Sequence, residues 1–240
     1  MTSKRKALSL TIPCYNEAKN IPHLLDRLSG AIMRPDIEVV LVDNGSTDET
    51  VGILDKILPD YPFARSIRIE KNIGYGYGVF TGLRQSDSEF VGWTHGDLQT
   101  DPKDIIKAFE MLESLPSPQK TYIKGSRIGR PWSDNLFSLG MGLFASVILK
   151  MWLYEINAQP NLFHRSLLSR IPTAPNDFSF DLFFYYMAKT NGYDIKRFKV
   201  LFENRIFGTS DWNTDLKSRI RFISRTARFT LSLKKRLDTY

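Results

Sequence analysis

The stretch Gly92-Trp93-Thr94-His95-Gly96-Asp97-Leu98-Gln99-Thr100-Asp101-Pro102 brings an imidazole, a carboxylate and a side-chain amide close together in sequence. Those groups supply the nitrogen and oxygen donors suited to a divalent cation that also holds a diphosphate. The apolar run Glu89 to Trp93 reads as a buried strand and Pro102 as a helix start. Asp97 therefore belongs in the loop at the strand's carboxyl end, the edge where open α/β sheets bind ligands. Taken alone, Asp-Leu-Gln is also the composition of an ordinary strand-to-helix turn, so the rest of the chain has to decide between the two readings.

Three earlier loops carry chemistry of the same kind. The first holds Pro13, Tyr15, Asn16 and Glu17, the second Asp43, Asn44 and Ser46, and the third Lys71, Asn72, Gly74 and Gly76. Asp43 is suited to accept hydrogen bonds from a base or ribose, Tyr15 to pack against a base, and Lys71 with its glycine-rich turn to approach phosphate oxygens. The glycine spacing Gly74-x-Gly76-x-Gly78 matches neither the G-x-G-x-x-G dinucleotide fingerprint nor a Walker loop, which disfavours a reductase or a nucleoside triphosphatase.

The elements needed to position these loops follow from hydrophobic periodicity. Strands are expected over Leu8 to Pro13, Ile37 to Val42, Arg65 to Ile69, Glu89 to Trp93, Thr121 to Lys124, Asn161 to Phe163 and Ile195 to Phe202. Helices are expected after Asn20-Ile21-Pro22, after the acidic turn Thr47-Asp48-Glu49-Thr50, through Leu83, and over Pro102 to Leu115. Further helices are expected over Trp132 to Tyr154, Phe178 to Lys189 and Leu216 to Leu237. Strand and helix alternate steadily through the first half, and Ile37 to Val42 is continuously apolar. Both features predict a mostly parallel sheet covered by helices on both faces, which would align the four loops along one edge.

Composition narrows the partners. The chain has 240 residues, 33 Lys+Arg against 26 Asp+Glu, a net charge of +7, and a single cysteine, Cys14. The positive balance favours anionic partners such as nucleotide phosphates or acidic lipid headgroups; nucleic acid has no motif behind it. One cysteine excludes an intramolecular disulfide framework, and no signal-peptide layout precedes the first strand, so the expected location is cytoplasmic. Leu136 to Leu149 is uncharged but short of the roughly 20 residues of a spanning helix, which leaves a core helix or one lying on a membrane surface. Leu216 to Leu237 interleaves an apolar stripe with Lys and Arg. It reads either as a helix for an anionic membrane surface or as a solvated surface helix.

Several motifs in order carry a resemblance. Ile12-Pro13-Cys14-Tyr15-Asn16-Glu17, Val42-Asp43-Asn44-Gly45-Ser46-Thr47-Asp48, Asn72-Ile73-Gly74 and Gly96-Asp97-Leu98-Gln99-Thr100-Asp101-Pro102 resemble the serial motifs of family 2 glycosyltransferases with the GT-A fold. Gly125-Ser126-Arg127 and Arg205-Ile206-Phe207-Gly208-Thr209-Ser210 resemble the dolichyl-phosphate mannosyltransferases and bacterial polyprenyl-phosphate sugar transferases within that family. The resemblance implies a Rossmann-like, mostly parallel sheet in one domain over 1–240. Residues 1–115 would hold the donor, 116–210 the acceptor, and 211–240 would form a basic tail.

It also implies an inverting transfer from a nucleotide-diphosphate sugar to a polyprenyl phosphate. Donor contacts fall on Pro13, Tyr15, Glu17, Asp43, Lys71, Gly74, Gly96, Asp97 and Arg127, and acceptor contacts on Arg130, Arg205 and Ser210. Mg²⁺ or Mn²⁺ is implied at Asp97, with Gln99 or His95 beside it. His95 stands where relatives carry the first Asp of Asp-x-Asp, and imidazole suits Mn²⁺ better than Mg²⁺; a His95 that only packs in the loop is the alternative. A lipid phosphate needs no general base, whereas a glycan hydroxyl would, with Asp181 the candidate. Transfer to a glycan hydroxyl and a non-catalytic nucleotide-sugar-binding subunit are the rival functions. A polyprenyl acceptor implies peripheral contact at the inner face of an anionic membrane and a place in cell-envelope glycan assembly.

Overall fold

The computed structural model describes residues 5–203 and 216–237. The strands are β1 (Leu8–Cys14), β2 (Ile37–Asn44), β3 (Ala64–Ile69), β4 (Phe90–Trp93), β5 (Thr121–Ile128), β6 (Asn161–His164) and β7 (Asp194–Leu201). The helices are α1 (Asn20–Ala31), α2 (Thr50–Ile57), α3 (Tyr75–Arg84), α4 (Pro102–Ser114), α5 (Trp132–Leu149), α6 (Phe180–Thr190) and α7 (Leu216–Leu237).

The strands form one sheet in the order β3-β2-β1-β4-β6-β5-β7. β1 pairs in parallel with both β2 and β4, β2 with β3, and β5 with β7; β6 runs antiparallel between β4 and β5. This is the mostly parallel α/β sheet expected from the strand–helix rotation. The antiparallel β6 joins the two sets of parallel strands into a single sheet.

Both faces of the sheet are covered, which is why β2 reads as a continuous apolar run and why Ser9 and Thr11 of the alternating β1 are buried as well. On one face Leu24, Leu25 and Leu28 of α1 and Ile105, Phe109 and Leu112 of α4 close over Leu10, Ile12, Val39 and Leu41. On the other, Val79 and Leu83 of α3 and Phe180 and Phe184 of α6 enclose Val91, Trp93, Tyr122 and Phe163. A third cluster joins Ala145 and Leu149 of α5 to Leu182 and Tyr185 of α6 and Leu233 of α7. Asp101 caps α4, its carboxylate accepting from the Lys103 N–H at 2.9 Å ahead of Pro102 in the first turn. That cap fixes where the Asp97 loop ends.

Most boundaries fall within two residues of the sequence expectation, β2 running on through Asp43 to Asn44; two differ by more. α5 stops at Leu149 rather than continuing to Tyr154, because Lys150 adopts a left-handed backbone (φ 51°) and its N–H returns to the Ser146 carbonyl. The Ser146 hydroxyl also accepts from the Leu153 N–H at 2.8 Å, which folds the following segment back onto the helix. β5 runs on to Ile128 instead of ending at Lys124, so Gly125-Ser126-Arg127 is strand rather than loop. Gly125 is required there, since a Cβ would lie 1.9 Å from the Gln159 carbonyl oxygen.

Gly92 in β4 has the same constraint, with a Cβ position 2.3 Å from the Asn161 carbonyl of the antiparallel neighbour. Gly92→Ala is expected to lower unfolding free energy by about 1–3 kcal/mol, the usual cost of overpacking a close-packed interior. Urea unfolding checks this, and an unchanged midpoint would contradict the packing described.

Candidate active site

Hydrogen bonds tie the loops at the carboxyl edge of the parallel strands to one another. From the first loop to the second, the Asn16 N–H donates to the Ser46 hydroxyl at 2.9 Å, the Glu17 N–H to the Thr50 hydroxyl at 2.9 Å, and the Thr47 N–H to the Asn16 side-chain oxygen at 2.9 Å. From the second to the third, the Asn44 amide donates to the Gly74 carbonyl at 2.9 Å. The third meets the fourth where Tyr75 packs on His95, with ring centroids 5.4 Å apart. The fourth leaves β4 along β1, the Thr94 N–H donating to the Thr11 carbonyl at 3.2 Å.

Within this edge Tyr15 is exposed, Pro13 and Glu17 are half-buried, and Lys71 is exposed. Asp43 is buried. One of its carboxylate oxygens accepts from the Ser46 N–H at 3.0 Å, and the other has no partner among the described residues. Gly74 precedes α3 with φ 129°, a backbone region open to glycine, and a Cβ there would meet the Asn176 carbonyl at 2.4 Å. Gly96 is buried against Ile12. Asp97 is buried, and its Oδ1 accepts from the Gln99 N–H at 3.2 Å across Leu98, which has φ 59°.

Gln99 carries the loop across to the end of β7. Its side-chain amide donates to the Glu203 carbonyl at 3.0 Å, and the Glu203 N–H donates to the Gln99 carbonyl at 2.9 Å. The chain leading toward Arg205 and Ser210 thus departs from beside the Asp97 loop; Arg205 and Ser210 themselves lie outside the described residues. A cavity of about 400 Å³ opens on the α1–α4 side of this loop and is lined by Arg27, Gly30, Asp101, Lys103 and Glu203. It includes none of the groups of the second and third loops.

Among the described residues no three His, Cys, Asp or Glu side chains are grouped so as to hold a metal ion. A single buried carboxylate with amide groups nearby fits the other mode of divalent binding, in which one or two protein oxygens are supplemented by substrate phosphates. Asp97 fits that role. His95 has a packing partner in Tyr75, which is itself stacked on Phe178 with centroids 4.8 Å apart and planes 9° from parallel.

Asp181, at the start of α6, sits in the core. It is 1% exposed, and its Oδ1 accepts from the Trp93 indole N–H at 3.1 Å and the Gln159 amide at 3.0 Å. Gln159 accepts in turn from the Asn161 amide, and the Asn161 oxygen accepts from the Tyr122 hydroxyl at 3.0 Å and the Lys124 ammonium at 2.9 Å. Burial and the nearby Asp181 charge push the Tyr75 hydroxyl well up, and burial brings the fully enclosed Lys124 down to about 7. Sequence reasoning missed this network. Its only signal was a lysine inside the apolar run Thr121-Tyr122-Ile123-Lys124.

Arg127 and Arg130, expected on the donor and acceptor sides, converge on one carboxylate. Arg127 pairs with Glu155 at 2.8 Å and Arg130 approaches it at 4.0 Å, while both guanidiniums lie over the Phe202 ring at 5.6 and 5.5 Å. Burial works against ionisation of Glu155, but the hydrogen bond and charge of Arg127 hold it below the usual carboxylate range. The Arg130 side chain is 2% exposed, and its Nε has no partner among the described residues. Its Nη1 donates to the Ser138 hydroxyl at 3.0 Å, and Asp134 lies 3.9 Å away.

A mostly parallel α/β sheet with four loops linked along its carboxyl edge, Asp43 and Asp97 buried among them, is the architecture on which the comparisons bear. The model of the Glycosyl transferase family 2 matches residues 9–170, and the chain belongs to that family. It is 34% identical over 112 residues to an undecaprenyl-phosphate 4-deoxy-4-formamido-L-arabinose transferase of Pseudomonas syringae pv. syringae, covering 45% of this chain and 33% of that one. It is 28% identical over 145 residues to a dolichol-phosphate mannosyltransferase of Pyrococcus furiosus, covering 59% and 41%. The matches thus span between a third and two fifths of the length of these relatives.

In fold the chain is similar to a glucosyl-3-phosphoglycerate synthase from Mycobacterium tuberculosis crystallised with Mn²⁺, UDP and glucosyl-3-phosphoglycerate. The TM-score is 0.71, with 17% identity, 95% of this chain and 80% of that chain covered. It is also similar to a mannosyltransferase from Pyrobaculum calidifontis in complex with GDP-Man and Mn²⁺, at TM-score 0.66, 18% identity and coverage of 97% and 74%. The GT-A fold expected from the motifs is the fold observed.

The Lys124 environment gives a pH prediction. With its pKa at about 7 when folded against 10.5 ordinarily, Lys124 is largely neutral in the folded chain and protonated in the unfolded chain between those values. Unfolding then takes up a proton, so stability rises with pH across that window, by roughly 1 kcal/mol per pH unit. Urea unfolding from pH 7 to 9 is expected to show this rise in the wild type and its loss in Lys124→Met. Parallel slopes for the two proteins would contradict it.

Proposed function

We propose that the protein transfers a sugar from a nucleotide-diphosphate donor to a polyprenyl phosphate, with inversion at the anomeric carbon. The observation that carries this reading is the row of linked loops at the carboxyl edge of β1, β2, β3 and β4, with the buried Asp97 in the fourth of them. Along that edge the base would rest on Tyr15 with Asp43 facing base or ribose. Lys71, Gly74 and Gly96 would border the phosphates. A divalent ion held by Asp97, with Gln99 and His95 beside it, would supply Lewis-acid neutralisation of the diphosphate.

An oxygen of the acceptor phosphate attacks the anomeric carbon from the face opposite the donor phosphate. The bond from that carbon to the β-phosphate oxygen breaks, and the nucleoside diphosphate leaves with the electron pair. The nucleophile arrives already ionised, so no proton has to be removed from it. This agrees with the state of Asp181, which is enclosed by Trp93 and Gln159 and acts by fixing the start of α6 rather than as a base. A glycan hydroxyl acceptor would require a base in its place. Arg130, Arg205 and Ser210 would receive the acceptor phosphate, guanidinium forks being suited to its oxygens, with Arg127 toward the donor. The named activities of the Pseudomonas and Pyrococcus relatives support a polyprenyl or dolichyl phosphate as acceptor, and the Mn²⁺ complexes of the fold neighbours support the ion. Such an acceptor places the protein peripherally at the inner, anionic face of a membrane; among the described residues no helix is long and apolar enough to cross one.

A panel of nucleotide sugars offered with a short polyprenyl phosphate, with and without Mn²⁺ or Mg²⁺, tests the proposal by mass spectrometry of the products. A prenyl-phospho-sugar formed only with the cation is expected. Asp97→Asn should lower turnover by about 10²-fold, the scale on which loss of one charge-stabilising group acts. Transfer to glycan hydroxyls alone, or donor binding with no product under any condition, would overturn it.

A further inference from the structure

α5 carries a stripe that the fold leaves uncovered. Trp132 is 78% exposed, Leu136 60%, Leu139 54%, Leu143 53% and Val147 67%, and Trp152 just beyond the helix is 59% exposed. Their spacing of three and four residues puts the five helical positions on one face. The opposite face is spent on the fold, where Ala145 and Leu149 pack with Leu182, Tyr185 and Leu233. From Asn135 to Leu149 the sequence has no charged residue. A stripe of this kind is far from the scattered single apolar residues of an ordinary surface.

Shape, length and charge select the occupant. The stripe is the outer face of a single helix, convex rather than grooved, which suits a plane better than one prenyl chain or a partner helix. From Trp132 to Val147 it extends roughly 22 Å at about 1.5 Å per residue, enough to lie along a bilayer surface and too little to cross the hydrocarbon core. Tryptophans stand at both ends, as amphipathic rings do at a lipid–water boundary.

α7 packs beside α5 through Phe229 and Leu233 and turns Arg221, Arg228 and Lys235 to solvent. A second copy docking through the same face would bring these cations together on a chain already at +7, whereas acidic headgroups would pair with them. Arg130 and the Arg127–Glu155 pair immediately precede the tryptophan end of the stripe.

We propose that the Trp132–Leu136–Leu139–Leu143–Val147 face of α5, bordered by Trp152 and the α7 cations, is the surface that enters the headgroup region of an anionic bilayer. Seated there, it brings the Arg127 and Arg130 pocket to the depth of lipid phosphates. The inference rests on the proposed polyprenyl-phosphate reading and assigns that reading a specific docking face.

The test is flotation of the full-length protein with phosphatidylcholine vesicles, with and without phosphatidylglycerol, at low and high salt. It is read together with quenching of tryptophan emission by brominated acyl chains. The wild type is expected to float with the acidic vesicles at low salt and to be quenched, and Trp132→Phe/Trp152→Phe should abolish most of the quenching. Leu139→Glu/Leu143→Glu, first shown by circular dichroism to fold, should weaken vesicle binding by about tenfold or more, since each leucine gives up its apolar burial. Its transfer to a short, water-soluble prenyl phosphate should be unchanged, so loss of docking and loss of transfer are read separately. Equal flotation of wild type and the glutamate variant overturns the proposal. So does absence of wild-type flotation, or a wild-type dimer in light scattering that the glutamate variant dissolves.

Discussion

Everything at the site depends on the parallel pairing of β1 with both of its neighbours. The register sets Cys14 opposite Asp43 and Asp43 opposite Arg68, so the first two loops leave the sheet at one level. β4 ends lower, with Trp93 opposite Thr11. The residues after it must climb along β1 before they reach that level, and the Thr94 N–H to Thr11 carbonyl bond starts the climb. Gly96 continues it against Ile12, in a space too narrow for a side chain without displacement. Asp97 is therefore delivered beside the first loop by backbone register, and the Asp101 cap on α4 fixes the far end.

The second half of the molecule is built around a different constraint, the burial of polar groups that must all find partners. β6 inserts antiparallel between β4 and β5 and brings Asn161 within reach of Tyr122 and Lys124, and Gln159 within reach of Asp181. The chain of bonds from Lys124 through Asn161 and Gln159 to Asp181 and Trp93 links four elements behind the donor edge. A buried network of this kind is costly when one member is removed, because the remaining groups lose both water and partner. Tyr75 joins the two parts, leaning on this network through Gln159 and on the loop after β4 through His95.

Much of the fold of the first half was legible in the sequence because its determinants are local. A continuous apolar run marks β2 as a strand buried on both faces and Asp43 closes that run, while Asp97 follows the apolar end of β4 within four residues. The stripe Ile105, Ile106, Phe109 and Leu112 declared the buried face of α4, and all four are buried. What escaped notice depends on contacts between residues far apart in sequence. Lys124 looked like the end of a strand because its partners lie more than thirty residues on. Arg127 and Arg130 stood out in the sequence as candidate donor and acceptor contacts, while Glu155, which they share, gave no sign of its place in the fold. The stop of α5 at Leu149 arose from a left-handed lysine and a serine hydroxyl, neither of which alters apolar periodicity.

The account stands on the claim that Asp97 is the metal and diphosphate corner of a nucleotide site built by four loops. The most direct measurement is a crystal structure with a nucleoside diphosphate and Mn²⁺, the ion located by its anomalous scattering. The account predicts Mn²⁺ coordinated by the Asp97 carboxylate and both phosphates, with the base between Tyr15 and Asp43. Mn²⁺ away from Asp97, or the nucleotide bound in the cavity lined by Arg27, Lys103 and Glu203, would contradict it.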